Sequence, residues 1–88
     1  MLKTLLQVGD KIRIRKDING KTRYNMKTFN HSNFYVENRM ATPGRLVTIE
    51  SVTEYGYHII EEDFFTYTDE MFELDIIDYL YEEYMNNK

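Results

Sequence analysis

Charged side chains are the groups in this 88-residue chain with the clearest chemical potential, and they are unevenly distributed. The first 45 residues contain ten Lys or Arg and three Asp or Glu, whereas the rest contains one Lys and twelve Asp or Glu. Such an asymmetry between the two halves of a chain indicates charged binding partners. The alternative interpretation is that the two halves pack together and partly neutralise each other.

The basic half predicts one candidate surface. Lys11, Arg13 and Arg15 alternate with two isoleucines, so a strand would place the three cations on one face. Small β-barrels bind nucleic acid by neutralising phosphates and by stacking bases on aromatic rings. The candidate nucleic-acid-binding residues are Lys11, Arg13, Arg15, Lys16, Lys21, Arg23 and Tyr24. A solvated strand face, paired with acids from neighbouring strands, is the alternative.

The acidic half predicts a second candidate surface, in which carboxylates are interleaved with tyrosines. Such a surface can occupy a basic groove built for nucleic acid, because charge steers the encounter and buried aromatic rings supply affinity. The candidate partner-binding residues are Glu61, Glu62, Asp63, Tyr67, Asp69, Glu70, Asp78, Tyr81, Glu82, Glu83 and Tyr84. The alternative is a terminal amphipathic element that covers one end of the domain and leaves its acids in water.

Catalytic and metal sites are not predicted. The two histidines, His31 and His58, are isolated from each other, and the chain has no Cys to form a thiolate zinc site. Glu61 and Glu62 are adjacent, so on a strand they would point to opposite faces and would not share a ligand. We therefore expect no enzymatic activity, no cofactor and no bound metal.

The elements that must position these residues form one small, mainly β domain, because a chain of this length buries enough surface for one thin core. The N-terminus lacks the apolar segment of a signal peptide, and no apolar run reaches the roughly 18 residues of a membrane span. We expect a cytoplasmic protein without membrane contact. Alternation and turn residues predict strands over residues 8–15, 34–40, 46–52, 57–62 and 72–76, with a long polar loop over 21–33. The predicted core residues are Val8, Ile12, Ile14, Val47, Ile49, Ile59 and Phe72.

The C-terminal segment has two interpretations. Thr68-Asp69-Glu70 is typical of a helix start and predicts a 3₁₀ turn through Met71. In the favoured interpretation a strand over 72–76 follows, so that a β domain covers residues 1–77 and an acidic, Tyr-rich helical tail covers 78–88. In the other, a single helix runs from Asp69 to Met85.

Four short motifs, in order, resemble small SH3-like β-barrel proteins of phages and prophages of Gram-positive bacteria. They are Val-Gly-Asp-Lys-Ile-Arg-Ile at 8–14, Pro-Gly-Arg-Leu-Val-Thr-Ile at 43–49, Gly-Tyr-His-Ile-Ile-Glu-Glu-Asp at 56–63 and Tyr-Thr-Asp-Glu-Met-Phe at 67–72. The resemblance implies an SH3-like barrel of about five strands with a long first loop and a C-terminal helical extension. Tyr67 departs from the pattern, which often has Trp there, and the acidic tail after Glu73 is an addition to it.

Phage proteins that block host defence nucleases are often small, acidic, free of Cys and rich in Tyr, as this chain is. The resemblance therefore implies a phage-derived inhibitor, monomeric or dimeric, acting in the host cytoplasm. We expect it to bind a host defence protein, such as a CRISPR effector nuclease complex, through the acidic surface and to block nucleic-acid engagement. One alternative is a nucleic-acid-binding barrel that uses the Lys11, Arg13 and Arg15 face; another is a phage structural or assembly component.

Overall fold

The computed structural model describes residues 4–27, 33–35 and 43–87. This part of the chain is mainly β with one C-terminal helix, as the sequence predicts. The elements in chain order are β1 (Lys11–Arg13), β2 (Arg23–Asn25), β3 (Asn33–Tyr35), β4 (Leu46–Thr53), β5 (Gly56–Ile59), β6 (Glu62–Tyr67), a 3₁₀ turn (Asp69–Met71) and α1 (Leu74–Asn86).

The main sheet is antiparallel, with the strand order β1-β4-β5-β6. Ile12 pairs with Val47 and Ile49 pairs with Ile59, and all four side chains are buried. Because side chains alternate along a strand, the neighbours of these residues point outward, and Lys11 is exposed on that outer face. The predicted alternation of β1 and β4 is confirmed.

The 3₁₀ turn carries the chain from the end of β6 to the free edge of β1. There Phe72 forms a bridge with Ile14. The Arg15 N–H donates to the Met71 carbonyl at 3.1 Å, and the Glu73 N–H donates to the Arg13 carbonyl at 3.0 Å. β1 therefore has β4 on one side and residues 71–73 on the other.

The predicted strand over 72–76 is wrong. Only Phe72 forms a β-bridge, and α1 begins at Leu74. Ile77 is fully buried, and Leu80, Tyr81 and Tyr84 pack against the core at helical spacing. Burial of this apolar stripe favours a helix, and it outweighs the two-residue alternation over 72–76 that favours a strand. The single-helix interpretation from Asp69 is also wrong, since a 3₁₀ turn and an extended residue precede α1.

All of the predicted core residues are buried except Val8, which is 65% exposed. Val8 precedes Gly9, whose φ of +92° turns the chain before β1 begins, so the alternation does not extend back to residue 8. The structure adds large side chains that alternation alone does not select. They are Leu5, Leu6, Tyr24, Met26, Tyr57, Tyr67, Met71 and Ile77.

The segment predicted as a loop over 21–33 contains β2, which pairs with β3. We call residues 23–27 together with β3 the arm. Tyr24 and Met26 point from it into the core and alternate with the polar residues at 23, 25 and 27, so the two-residue pattern of a strand is present in the sequence. The loop prediction is wrong at Arg23–Asn25 and at Asn33. The predicted strand over 34–40 overlaps the last two residues of β3, and its remainder lies outside the described residues.

The helical part of the described chain is short. α1 spans 13 residues, and none of the described helices has the length and apolar character needed to cross a bilayer.

Gly56 provides a test of the β5–β6 packing. A methyl group on Gly56 would overlap the Tyr67 carbonyl oxygen and lie 2.8 Å from Thr66 Cγ2. We expect Gly56→Ala to lower the free energy of unfolding by about 3 kcal/mol, because backbone must move to relieve the overlap. Gly9→Ala is the control, since it has positive φ but open space, and should cost about 1 kcal/mol. Urea unfolding measures both, and equal losses would contradict the close approach.

Candidate functional site

The acidic residues of the 3₁₀ turn hold the arm against the sheet. Asp69 is fully buried, and its Oδ2 accepts the Lys27 backbone N–H at 2.9 Å. Glu70 Oε1 accepts the Asn25 backbone N–H at 2.9 Å, while the Glu70 carbonyl accepts from Arg15 Nη1 at 3.1 Å. These two carboxylates are therefore used to satisfy backbone donors at the edge of the arm.

Tyr57 completes this buried polar network. Its hydroxyl donates to Asp69 Oδ1 and accepts the Leu6 backbone N–H at 3.2 Å. Burial, and then the neighbouring carboxylate, raise the pKa of the Tyr57 phenol. Burial also raises the pKa of Asp69, and hydrogen bonds from Tyr57 and Lys27 only partly oppose this shift. The network joins the N-terminal segment, β5, the 3₁₀ turn and the arm.

Lys27 ties α1 to the same network. Its Nζ lies 3.2 Å from Asp78 Oδ1 and 5.2 Å from the centroid of the Tyr81 ring. The Tyr81 ring packs beside that of Tyr84, with centroids 6.3 Å apart, and both rings contact the core. Asp78, Tyr81 and Tyr84 thus hold the helix in place, which limits their contribution to an exposed surface.

The predicted acidic surface does not exist as one continuous face. Tyr67 and Asp69 are fully buried, so their assignment to an exposed binding surface is wrong. Glu61 is exposed in the turn between β5 and β6 and accepts the Thr48 N–H of β4 at 2.9 Å. Glu62 is half-buried in β6, and the Asp63 side chain lies outside the described part of the structure. Glu82 and Glu83 are exposed, and both belong to α1.

A smaller surface lies on the outer side of α1, and we call it the acidic helix face. Residues three, four and seven apart in a helix share one side, and the buried side of α1 is marked by Ile77. The acidic helix face consists of Asp75, Ile76, Tyr79, Glu82 and Glu83. Tyr79 is 59% exposed, and its hydroxyl donates to Glu83 Oε1 at 2.7 Å, which holds the ring along the helix.

Sequence reasoning missed Asp75, Ile76 and Tyr79 as surface residues. The predicted strand over 72–76 separated the first two from the helix. The helical spacing that continues back from Tyr84 through Leu80 and Ile76 was the signal that could have joined them.

The position of Glu82 and Glu83 opposes helix stability. Glu83 lies in the last turn of α1, which contains no basic residue, and Glu82 follows Asp78 by four residues. The C-terminus of a helix carries partial negative charge, which disfavours Glu83, and like charges four residues apart on a helix repel each other, which disfavours Glu82. Within the described residues Glu82 forms no ion pair. The charge of the acidic helix face is therefore available to a partner.

Two of the basic candidate residues, Arg15 and Arg13, form contacts within the chain. Arg15 forms a bidentate ion pair with Asp17 at 2.7 and 2.9 Å and lies over the Tyr24 ring at 5.2 Å. Arg13 lies 4.0 Å from Glu73 and donates to the Gly44 carbonyl at 3.3 Å. Lys11, Lys16, Lys21 and Arg23 have exposed side chains.

Tyr24 cannot serve as a platform for base stacking, so this part of the predicted nucleic-acid site is wrong. Its side chain is 2% exposed, and its hydroxyl accepts the Asn19 N–H at 3.0 Å. Arg15 covers one side of the ring, so the tyrosine packs as a core residue of the arm rather than as a ligand-binding surface.

Among the described residues, no three His, Cys, Asp or Glu side chains are grouped so that they could hold a metal ion. Comparison with protein-family models, curated proteins and solved structures finds no match to this chain. Its function must therefore be inferred from its own residues.

The buried hydroxyl of Tyr57 predicts a large effect for a small change. Tyr57→Phe removes the hydroxyl that donates to Asp69 Oδ1 and accepts the Leu6 N–H, so both of these buried groups lose that partner. We expect a loss of about 2–3 kcal/mol in the free energy of unfolding, measured by urea titration. Tyr55→Phe is the matched control, because Tyr55 is exposed and should tolerate the change. Similar behaviour of the two variants would show that the network contributes little.

The raised pKa of Asp69 predicts a pH dependence with a defined sign. A carboxyl that is easier to protonate when folded stabilises the protein below its unfolded pKa of about 3.9, and that contribution disappears as pH rises through the folded value. Asp69→Asn removes it. Urea unfolding of both proteins from acid to neutral pH should show the wild type losing stability relative to the variant as pH rises. A difference that is constant with pH would contradict this.

Proposed function

We propose that the chain is a binding protein that presents the acidic helix face to a basic surface of a protein partner. The observation that carries this proposal is the pair Glu82 and Glu83, placed where they weaken the helix, beside the exposed ring of Tyr79. Tyrosine is enriched among residues that dominate binding energy, and carboxylates around it supply steering and specificity.

The charge of the acidic helix face indicates which kind of basic surface fits. Asp75 and Glu83 are eight positions apart, which corresponds to about 12 Å along the helix axis. Asp75, Glu82 and Glu83 lie within this length beside the exposed ring of Tyr79. Proteins that bind a nucleic-acid backbone use Lys and Arg to neutralise its phosphates. A groove of this kind is complementary in charge to the acidic helix face.

We further propose that the partner is a nucleic-acid-binding host protein, with a defence nuclease such as a CRISPR effector as the specific candidate. Occupation of the basic groove by α1 would prevent nucleic acid from entering it. Within the described residues the opposite charges are only partly paired with one another, through Arg13–Glu73, Arg15–Asp17 and Lys27–Asp78. This leaves carboxylates on α1 for intermolecular contacts.

The fold that we propose for this role is an SH3-like barrel. Its support is the route of the chain, in which the 3₁₀ turn links β6 at one edge of the sheet to Phe72 beside β1 at the other edge. Phe72 packs against Tyr57 and Tyr67, with ring centroids 6.0 and 6.1 Å apart. A sheet whose two edges are brought together in this way, over one shared core, matches a small, partly open barrel.

Nucleic-acid binding by the basic residues is the second candidate. Lys11, Lys16 and Lys21 are exposed and form no ion pair within the described residues, which favours it. The burial of Tyr24 removes the aromatic partner that sequence reasoning assigned to these cations. For that reason the acidic helix face is the better supported site.

Charge reversal of Glu82 separates the two candidates. Glu82→Lys should raise the free energy of unfolding by about 0.2–0.5 kcal/mol, because it replaces a like charge four residues after Asp78 with an opposite one. The same change should lower the amount of partner captured from a nuclease-treated bacterial lysate by about tenfold or more, a loss of the size expected for a charge at the centre of an interface. Thermal unfolding and quantitative capture with the immobilised protein measure the two effects.

Glu50→Lys is the matched control, since Glu50 is an exposed carboxylate on the outer face of β4 and the change in net charge is identical. It should leave capture unchanged. Loss of every captured protein after nuclease treatment, or equal capture by Glu82→Lys and wild type, would contradict the proposal. The former result would support the nucleic-acid candidate.

A further inference from the structure

One cation of the chain contacts a tyrosine ring and a carboxylate at the same time. The Arg15 guanidinium lies 5.2 Å from the centroid of the Tyr24 ring and forms a bidentate ion pair with Asp17 at 2.7 and 2.9 Å. The face of an aromatic ring carries partial negative charge, so the ring and the carboxylate attract the same cation. A planar guanidinium suits both, because it can cover the ring and bond to the carboxylate through its edge.

The same arrangement occurs on α1, where the cation is a lysine. Lys27 Nζ lies 5.2 Å from the centroid of the Tyr81 ring and 3.2 Å from Asp78 Oδ1. Asp78 and Tyr81 are three residues apart, so they are neighbours on one side of the helix. A tyrosine and a carboxylate at this spacing on α1 therefore hold a cationic side chain.

Tyr79 and Glu82 have this spacing on the outer side of α1, with the tyrosine first. Both side chains are exposed. At about 100° per residue, Tyr81 lies about 160° around the helix from Tyr79, so Lys27 is on the other side of α1. Within the described residues Glu82 forms no ion pair. The cation for this ring and this carboxylate must therefore come from another molecule.

The neighbours of Tyr79 prepare its ring for such a cation. The Tyr79 hydroxyl donates to Glu83 Oε1 at 2.7 Å, which restrains the ring before any partner arrives. Glu83 lies about 40° around the helix on one side of Tyr79, whereas Asp75 and Glu82 lie about 40° and 60° away on the other. Asp75 also lines the open cleft at the start of α1 that contains Lys16. Glu82 is therefore the carboxylate that we assign to the incoming cation.

We propose that the acidic helix face recognises one arginine side chain of its partner, which stacks on the Tyr79 ring and bonds to Glu82. This inference rests on the proposed function, because the arginine belongs to the basic surface that α1 contacts. Arginine fits the site better than lysine. Its guanidinium can donate two N–H groups to one carboxylate while its flat face covers the ring, and it is more weakly hydrated than an ammonium group.

This site gives the acidic helix face a selectivity that charge alone does not supply. Asp75 and Glu83 attract any basic surface, whereas Tyr79 and Glu82 together favour a flat cation. Tyr79 is also midway between Asp75 and Glu83, near the centre of the face. Residues that dominate binding energy cluster at the centre of an interface, and both tyrosine and arginine are enriched among them.

Capped tripeptides test the site on the purified full chain without any partner protein. The probes have glycine at both ends and arginine, lysine or citrulline in the middle, since citrulline has the shape of arginine without its charge. Their binding is measured by NMR titration at low salt, where exposed charges are least screened. We expect the arginine peptide to shift the signals of Tyr79 and Glu82 and to bind about twofold or more tightly than the lysine peptide. The citrulline peptide should cause no saturable shift.

Substitutions of Tyr79 separate the ring from the charge around it. Tyr79→Leu keeps every charge and should weaken the arginine peptide about two- to fivefold, which removes its preference over the lysine peptide. Tyr79→Phe keeps the ring and should keep the preference. Glu82→Gln should weaken both charged peptides. Tyr55→Leu and Glu50→Gln are the matched controls, because both residues are exposed and lie outside α1, and they should bind the peptides as the wild type does.

The arginine site is overturned if the arginine peptide does not bind, if the lysine or citrulline peptide binds equally well, or if the preference for arginine survives Tyr79→Leu. Circular dichroism melts establish that each variant is folded. Capture from the lysate distinguishes this failure from that of the proposed function. If Glu82→Lys lowers capture but the arginine peptide does not bind, the partner proposal stands and the arginine site is wrong. If the peptide binds at Tyr79 and capture is unchanged, the arginine site stands and the proposed partner is wrong.

Discussion

The hydrogen bond from Tyr57 to the buried carboxylate of Asp69 is the interaction on which the rest of the structure depends. A carboxylate in an apolar core costs several kcal/mol unless its oxygens are satisfied. Tyr57 satisfies one oxygen and the backbone of Lys27 satisfies the other. Because Tyr57 also accepts the Leu6 N–H, one polar group fixes four segments of the chain. The position of the 3₁₀ turn then sets Phe72 beside Ile14, and this bridge determines where α1 begins.

This network divides the acidic residues into two groups, those bonded to the arm and those exposed on α1. Carboxylates on or near the 3₁₀ turn face the arm, where they accept hydrogen bonds from its backbone or pair with the Lys27 ammonium group. Carboxylates on the outer side of α1 face away from the arm and accept none of its donors within the described residues. A formal count of charge along the sequence treats the two groups alike, yet only the second can contribute much binding energy to a partner. The same distinction separates Arg15, whose guanidinium is paired with Asp17, from the exposed Lys16.

Local patterns in the sequence predicted the parts of the fold that local interactions determine. The alternation in Leu46–Thr53 and the 3₁₀ turn after Thr68 were predicted correctly, and so was the burial of Ile12 and Val47. Long-range contacts determine what was missed. Asp69 has the sequence context of an exposed acid in a first helical turn, but its partners lie 12 and 42 residues away. Tyr67 is buried because it stacks on Phe72 and pairs with Tyr57 of β5, contacts that form only when the sheet and the 3₁₀ turn come together. Much of the acidic candidate surface was therefore unpredictable from spacing, while Glu82 and Glu83, held on a regular helix, were identified correctly as exposed.

Solubility does not explain the acids near the end of α1. The chain already carries a net charge of −4, which is in the range that keeps small domains soluble. If charge alone were required, the same carboxylates would stabilise the helix in its first turn and would cost nothing there. Their actual position reduces helix stability, and Tyr79 exposes an aromatic ring beside them. Natural proteins accept such local losses where a binding surface requires them. In the function proposed above, the positive charge of a partner protein offsets this loss.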